Sequence, residues 1–138
     1  MPRISADTLA QHRANRLRDL LDAGRDIVTS EGASALTLAS LARRVGLSRP
    51  SLYEYFRSRE ELVAAIVCDE LPGCGRRLTD AVRSAVGVEA KVEAYLRTGL
   101  EIVADGGHSA VVSLSTHALP EAARARIRGE HDKLLTPL

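Results

Sequence analysis

The chain has 138 residues, 45% apolar and 27% charged, a balance that excludes a disordered polymer and allows a buried core. Net charge is only +1, but it is unevenly divided: residues 1–59 hold ten arginines against six acids, and residues 60–138 hold nine basic against twelve acidic groups. No apolar run reaches the ~18 residues that a bilayer span requires, no signal-like apolar stretch opens the chain, and two cysteines are too few for a disulfide scaffold; a cytoplasmic protein without membrane contact is expected.

Apolar spacing is helical nearly throughout. Leu17, Leu20, Leu21, Gly24, Ile27 and Val28 make one stripe of threes and fours, predicting a first helix that ends at Glu31, with Gly32 suited to a left-handed C′ position. A second, shorter stripe (Leu38, Leu41, Ala42, Val45) follows Thr37, a plausible N-cap, and stops at Gly46. Gly46-Leu47-Ser48 then forms a turn of about three residues. Ser48 can cap a short third helix from Arg49 to Phe56, where Pro50 falls in the first turn and costs no hydrogen bond.

Ser58-Arg59-Glu60-Glu61 has the form of a capping box, with Ser58 Oγ accepting from Glu61 N–H and the Glu61 carboxylate accepting from Ser58 N–H. A fourth helix is therefore predicted from Arg59, burying Leu62, Val63, Ile66 and Val67. Leu71-Pro72-Gly73-Cys74-Gly75 is expected to interrupt or strongly kink it, making Pro72-Gly73 a candidate hinge. Leu78, Ala81, Val82, Ala85 and Val86 resume the period before Gly87. A fifth helix holds Val88, Val92, Tyr95, Leu96, Gly99 and Val103 and runs to Gly106-Gly107. Leu100 and Ile102 widen its apolar sector, which predicts neighbours all round. Ala110 to Thr116 would suit a strand as well as a helix, but a lone strand has no partner, so the fold class is all-α. Pro120 starts a last helix with Ala123, Ile127, His131, Leu134 and Leu135 inward.

Two short helices joined by a glycine-containing turn, the second capped by serine, outline a helix-turn-helix. Leu38, Leu41, Val45, Leu47 and Leu52 must pack together, which leaves Arg49, Ser51 and Tyr53 projecting, with Tyr55 near the helix end. Every basic residue before position 60 is arginine, whose planar fork suits phosphate and guanine. Arg44, more than Arg43, is placed to meet a phosphate, and Arg3, Arg13 and Arg16 could form a basic arm. Cys68, Cys74, His108 and His117 have metal-binding side chains but no compact ligand spacing. No nucleophile has an adjacent base. No metal, cofactor or enzymatic activity is therefore expected.

From Thr37 to Leu62 the sequence resembles the TetR family of transcriptional regulators. The residues that carry the likeness are Thr37-Leu38, Leu41-Ala42, Val45-Gly46-Leu47-Ser48, Leu52-Tyr53, Tyr55-Phe56 and Ser58-Arg59-Glu60-Glu61-Leu62, with Leu21-Asp22-Ala23 and Glu31-Gly32 before them. The resemblance implies a helix-turn-helix DNA-binding domain over residues 1–58, its motif at about 36–55. A helical regulatory domain over 59–138 would be linked through the fourth helix. It implies phosphate contacts at Thr37 and Arg59, base or phosphate contacts at Ser48, Arg49, Pro50 and Ser51, backbone contacts at Tyr53 and Tyr55, and a buried role for Phe56. Proline at position 50 shifts base reading toward Arg49 and Ser51.

The partners implied are a near-palindromic double-stranded DNA operator, a second copy in a homodimer and a small-molecule effector. Members of the family commonly carry two later helices that pair in the dimer; here either such helices or other surfaces would serve. Tyr95, Leu96, Leu100, Val103, Val112 and His117 are the candidate effector-binding residues. The expected function is a ligand-responsive repressor. A helical protein–protein adaptor or a small-molecule binding module without DNA binding are the alternatives.

Overall fold

The computed structural model describes residues 6–105, 113–114 and 119–136. They form six α-helices, α1 (Ala6–Glu31), α2 (Leu38–Val45), α3 (Arg49–Tyr53), α4 (Arg59–Ser84), α5 (Val88–Ala104) and α6 (Glu121–Asp132), with single 3-10 turns at Ala33–Ala35 and Lys133–Leu135. Among the described residues there is no strand, as an all-α chain requires.

The local signals that delimit the first four helices act as their chemistry dictates. Gly32 takes φ +92° after α1, and Gly46 takes φ +71° at the end of α2, conformations that a side chain would strain. Thr37 and Ser40 exchange hydrogen bonds at the start of α2, Thr37 Oγ1 accepting from Ser40 N at 3.0 Å and Ser40 Oγ from Thr37 N at 2.9 Å. Ser58 Oγ accepts from Glu61 N at 3.1 Å, but the Glu61 carboxylate turns to Arg57 N at 2.6 Å instead of Ser58 N. α3 ends at Tyr53, earlier than the apolar spacing suggests; Tyr55 N and Phe56 N both donate to Leu52 O, closing a turn that drops Phe56 into the core.

Helix α4 is the shared wall. Leu62, Val63, Ile66, Val67 and Leu71 are buried in one cluster with Leu20, Leu21, Ile27 and Val28 of α1, Leu41 of α2, Leu52 of α3 and Ile127 of α6. Farther along, Cys74 and Leu78 pack with Ile102 of α5, with Tyr95 and Leu134 at the edge. The helices meet closely at Gly24, where an added Cβ would lie 2.7 Å from Ile66 Cδ1.

Three expectations from the sequence are corrected here. Pro72 does not break α4, which runs without interruption to Ser84, so Pro72-Gly73 is not a hinge between two helices. Proline inside a helix costs about 3 kcal/mol. Burying an aliphatic side chain returns roughly 1.5–3 kcal/mol, and Leu71, Cys74, Leu78 and Val82 are all buried on either side of the exposed proline ring. Nor is α5 enclosed: Val92, Leu96, Leu100 and Val103 are exposed, and Ile102 is its only buried side chain among the described residues. On the last segment Ile127 is buried and Ala123 and Leu134 half-buried, but His131 and Leu135 are exposed. Gly106-Gly107 and most of Ala110–Thr116 lie outside the described residues; Ser113 and Leu114 are helical, and Leu114 is buried.

Cys68 and Cys74 are buried and unbridged, and burial pushes both thiols up from their ordinary value.

The α1–α4 contact predicts a non-additive pair. Ile66→Ala should cost about 2–5 kcal/mol, and Gly24→Leu about 1–3 kcal/mol by overpacking. Combined, the new leucine fills the space the isoleucine leaves, so urea denaturation should give a double variant more stable than the sum of the two losses.

Candidate nucleic-acid interface

Ser48, Arg49, Pro50 and Tyr53 are exposed at the surface, with Ser51 half-buried among them. Ser48 caps α3, its Oγ accepting from Ser51 N at 3.3 Å. It also donates to Ser51 Oγ at 2.9 Å, which leaves the Ser51 hydroxyl hydrogen for an acceptor outside the protein. Arg49 and Pro50 are exposed at the first two helical positions, and Pro50 brings no donor there. The Arg49 guanidinium makes no hydrogen bond or ion pair among the described residues. Neither does the Tyr53 hydroxyl, on a side chain that is half exposed. Beneath them, Leu52 is 1% and Phe56 2% exposed, so α3 is anchored on its inner side and bare on its outer one.

The arginines around α3 fall into two groups. Arg43, Arg49 and Arg57 are exposed and their guanidinium groups have no protein partner among the described residues. Others are committed to the protein. Arg44 pairs with Glu31 at 2.9 Å, so it must exchange that carboxylate for any phosphate. Arg13 and Arg16 lie on α1 and not on a loose arm, and Arg3 is outside the described residues. Arg13 donates to Glu54 O at 3.0 Å and sits over the Tyr55 ring, 4.8 Å from its centroid. That contact is worth roughly 0.5–1 kcal/mol at an exposed site. Tyr55 is half-buried, packed by this arginine on one side and the core on the other.

Arg59, expected to meet a phosphate, commits part of its guanidinium to the protein. Its Nε donates to Leu36 O at 2.7 Å and its terminal nitrogen to Ala33 O at 2.9 Å. The guanidinium therefore stitches the start of α4 to the segment before α2, adding a donor to Ala33 O, which already accepts from Leu36 N at 3.2 Å, and another to Leu36 O. Thr37, also a phosphate candidate, spends its hydroxyl and its N–H on the cap with Ser40, although its side chain is exposed at the surface.

A second buttress joins α1 to α4. Arg25 donates to Asp69 Oδ2 at 2.8 Å and to Glu70 Oε2 at 3.4 Å, and it pairs with Asp22. Burial opposes its charge, but Asp69 and Asp22 outweigh burial and hold the guanidinium above its ordinary pKa. The Asp22 pairing is visible from its i,i+3 spacing; the partners on α4 come from over forty residues away and leave no local trace.

Of the proposed effector residues, Leu96, Leu100 and Val103 lie on the open face of α5 and enclose nothing there. Tyr95 is half-buried, its hydroxyl donating to Leu134 O at 3.2 Å. Val112 and His117 lie outside the described residues, as does His108. Among the described residues no cluster of three or more His, Cys, Asp or Glu side chains is arranged to hold a metal ion. No helix of the described residues is long and apolar enough to cross a membrane.

Residues 20–66 match the family described as bacterial regulatory proteins, tetR family. The HTH-type transcriptional repressor KstR2 of Rhodococcus jostii is 30% identical over 99 residues, covering 72% of this chain and 48% of the relative. The HTH-type transcriptional regulator YfiR of Bacillus subtilis is 29% identical, with 74% of this chain and 51% of the relative covered. This chain thus spans about half the length of the curated relatives it matches. In fold it is similar to a TetR family transcription regulator from Marinobacter aquaeolei, with a TM-score of 0.71 at 20% identity over 93% of this chain and 69% of that one.

Arg59 and Arg49 should separate in a thermal denaturation experiment. Arg59→Ala removes two hydrogen bonds to backbone carbonyls and should cost about 1–3 kcal/mol; Arg49→Ala touches no protein group among the described residues and should stay within about 0.5 kcal/mol of the parent.

Proposed function

The chain belongs to the tetR family of bacterial regulatory proteins, and on that premise we propose that it is a sequence-specific DNA-binding transcriptional repressor. The observation that supports this is the outer side of α3: Arg49 and Tyr53 are exposed, with Ser51 half-buried beside them, on a helix anchored through Leu52, and among the described residues no protein group satisfies the Arg49 guanidinium or the Tyr53 hydroxyl. A five-residue helix has one rank of outward side chains, enough to read a short half-site in a major groove. Two subunits related by a two-fold axis would then present their α3 helices to grooves about 34 Å apart on a near-palindromic operator.

Contacts divide by chemistry. Arg49 has the bidentate fork that matches guanine O6 and N7, and the free Ser51 hydroxyl can donate to an adjacent base or phosphate. Tyr53, Arg43 and Arg57 suit the phosphate backbone, which supplies salt-dependent affinity without sequence preference. Arg44 joins them once it gives up Glu31. Thr37, Ser48 and Pro50 shape the surface more than they read it, because their polar groups are spent on caps or absent. Tyr55 is positioned by Arg13 to offer its hydroxyl at the same edge.

Residues 59–138 take the regulatory part of the proposal, response to a small-molecule effector. Tyr95, facing the end of α6, is the effector candidate that already lies between elements. An effector bound there would act through α4, which packs against α1 and α6 alike.

Mobility-shift titrations against DNA from upstream of the coding region should show specific binding that weakens steeply with salt. Arg49→Ala should lose about 1–3 kcal/mol and tolerate substitution at roughly one base pair. Tyr53→Phe should weaken all sequences alike. Unchanged operator preference in the Arg49 variant would remove the assigned base contact, and absence of binding at low ionic strength would remove the function.

A further inference from the structure

The two ends of the short helix α3 are held by different parts of the chain. Ser48 caps the first end from the adjoining turn. At the second end Glu54, the C-cap residue, carries one of the carbonyls for which a helix terminus has no donor of its own. Arg13 supplies that donor from α1: its terminal nitrogen lies 3.0 Å from Glu54 O, across 41 residues of chain. A cation is also the charge that a helix C-terminus favours.

The same guanidinium lies over the Tyr55 ring, 4.8 Å from its centroid, and the ring packs against the core cluster as well. A tyrosine side chain has two torsions, so contacts that hold its ring also fix where its hydroxyl points. That hydroxyl has no partner among the described residues. Arg16, one turn along α1, lines the same cleft as Arg13 and Tyr55, and its guanidinium has no partner among the described residues either. Two neighbouring arginines of α1 thus differ in what they hold. We propose that Arg13 is a positioning residue for operator binding: it closes the end of α3 from outside and sets the Tyr55 hydroxyl, and it is not itself a phosphate contact.

Charge and geometry make different demands on this position. A phosphate contact needs a positive charge within reach, which lysine supplies as well as arginine. Donating to Glu54 O while covering Tyr55 needs a group with spread-out donors, and an ammonium, with a single centre, cannot do both. Attraction to the phosphate backbone follows charge and is alike on every sequence. Order at the end of α3 matters only in the fitted complex, where side chains must meet particular groups without first losing their freedom. The role rests on the DNA-binding reading above, and its test separates the two.

Mobility-shift titrations over a salt series would compare the upstream duplex with a random-sequence duplex of equal length, circular dichroism verifying that each variant is folded. Arg13→Lys keeps the charge, so binding to the random duplex and its salt dependence should match the parent, while operator binding weakens about three- to tenfold. Arg16→Gln removes one charge from the same cleft and should weaken both duplexes alike. In a Tyr55→Phe background the operator cost of Arg13→Lys should fall by about half or more, because the hydroxyl that Arg13 places is gone. Full operator affinity in Arg13→Lys would make Arg13 a simple phosphate contact and overturn the proposal. An equal loss on both duplexes, or an undiminished loss in the Tyr55→Phe background, would overturn it too. A parent chain that binds neither duplex removes the DNA-binding reading and this role with it; a parent that prefers its operator while Arg13→Lys keeps that preference removes the role of Arg13 alone.

Discussion

The apolar packing of α4 holds the rest in place, because among the described residues its buried side chains belong to both hydrophobic clusters. Leu62 to Leu71 bind α1, α2 and α3 on one stretch, and Cys74 and Leu78 bind α5 on the next. Without that wall the amino-terminal helices would expose Leu20, Ile27, Leu41 and Leu52 to water, and each such side chain costs roughly 1.5–3 kcal/mol to expose. Gly24 is the residue that lets α1 approach, since the place of its missing Cβ is taken by Ile66. A shift of α4 is therefore felt by α1 directly, and by α3 through Leu52 and Phe56.

The outward residues of α3 depend on this indirectly. A helix of five residues has no independent stability, because nucleating the first turn is unfavourable and too few bonds follow to repay it. Its geometry is borrowed: Ser48 caps one end, Leu52 and Phe56 are seated in the core, and Arg13 reaches from α1 to hold Glu54 O and Tyr55 at the other. Rigidity of this kind lets Arg49 stay unpartnered in solution and yet be ordered at its backbone, the arrangement that spends least entropy on binding.

How much of this can be read from the sequence follows from the range of each interaction. The caps at Thr37, Ser48 and Ser58 and the left-handed glycines at 32 and 46 are set by residues within a few positions, and the sequence displays them. Leu52 is legible as core from spacing and Phe56 from the family resemblance, and Arg49 and Ser51 as outward from spacing. Pro72 misleads because its local cost is visible, whereas the burial of Leu71, Cys74 and Leu78 that overrides it is a tertiary effect. The breadth of the α5 apolar sector is legible too, but breadth alone does not distinguish a face covered within one chain from a face left open. Arg59 shows the limit of local reading: at the start of α4 it looks like an anion contact, and only folding shows that it also donates to Leu36 O and Ala33 O.

The same distinction changes what the charge asymmetry means. Ten arginines in the first 59 residues suggest a strongly cationic face, yet Arg13, Arg25, Arg44 and Arg59 are bound to protein oxygens. Two of these act on carbonyls, where they add hydrogen bonds without cancelling charge, and two face carboxylates, where the field at a distance is neutralised. The cations left to act on a polyanion are fewer and lie at known places, with Arg43, Arg49 and Arg57 around α3. Affinity for phosphate is thereby limited, and a modest electrostatic attraction is what a protein needs if a single well-placed guanidinium is to decide between one base pair and another.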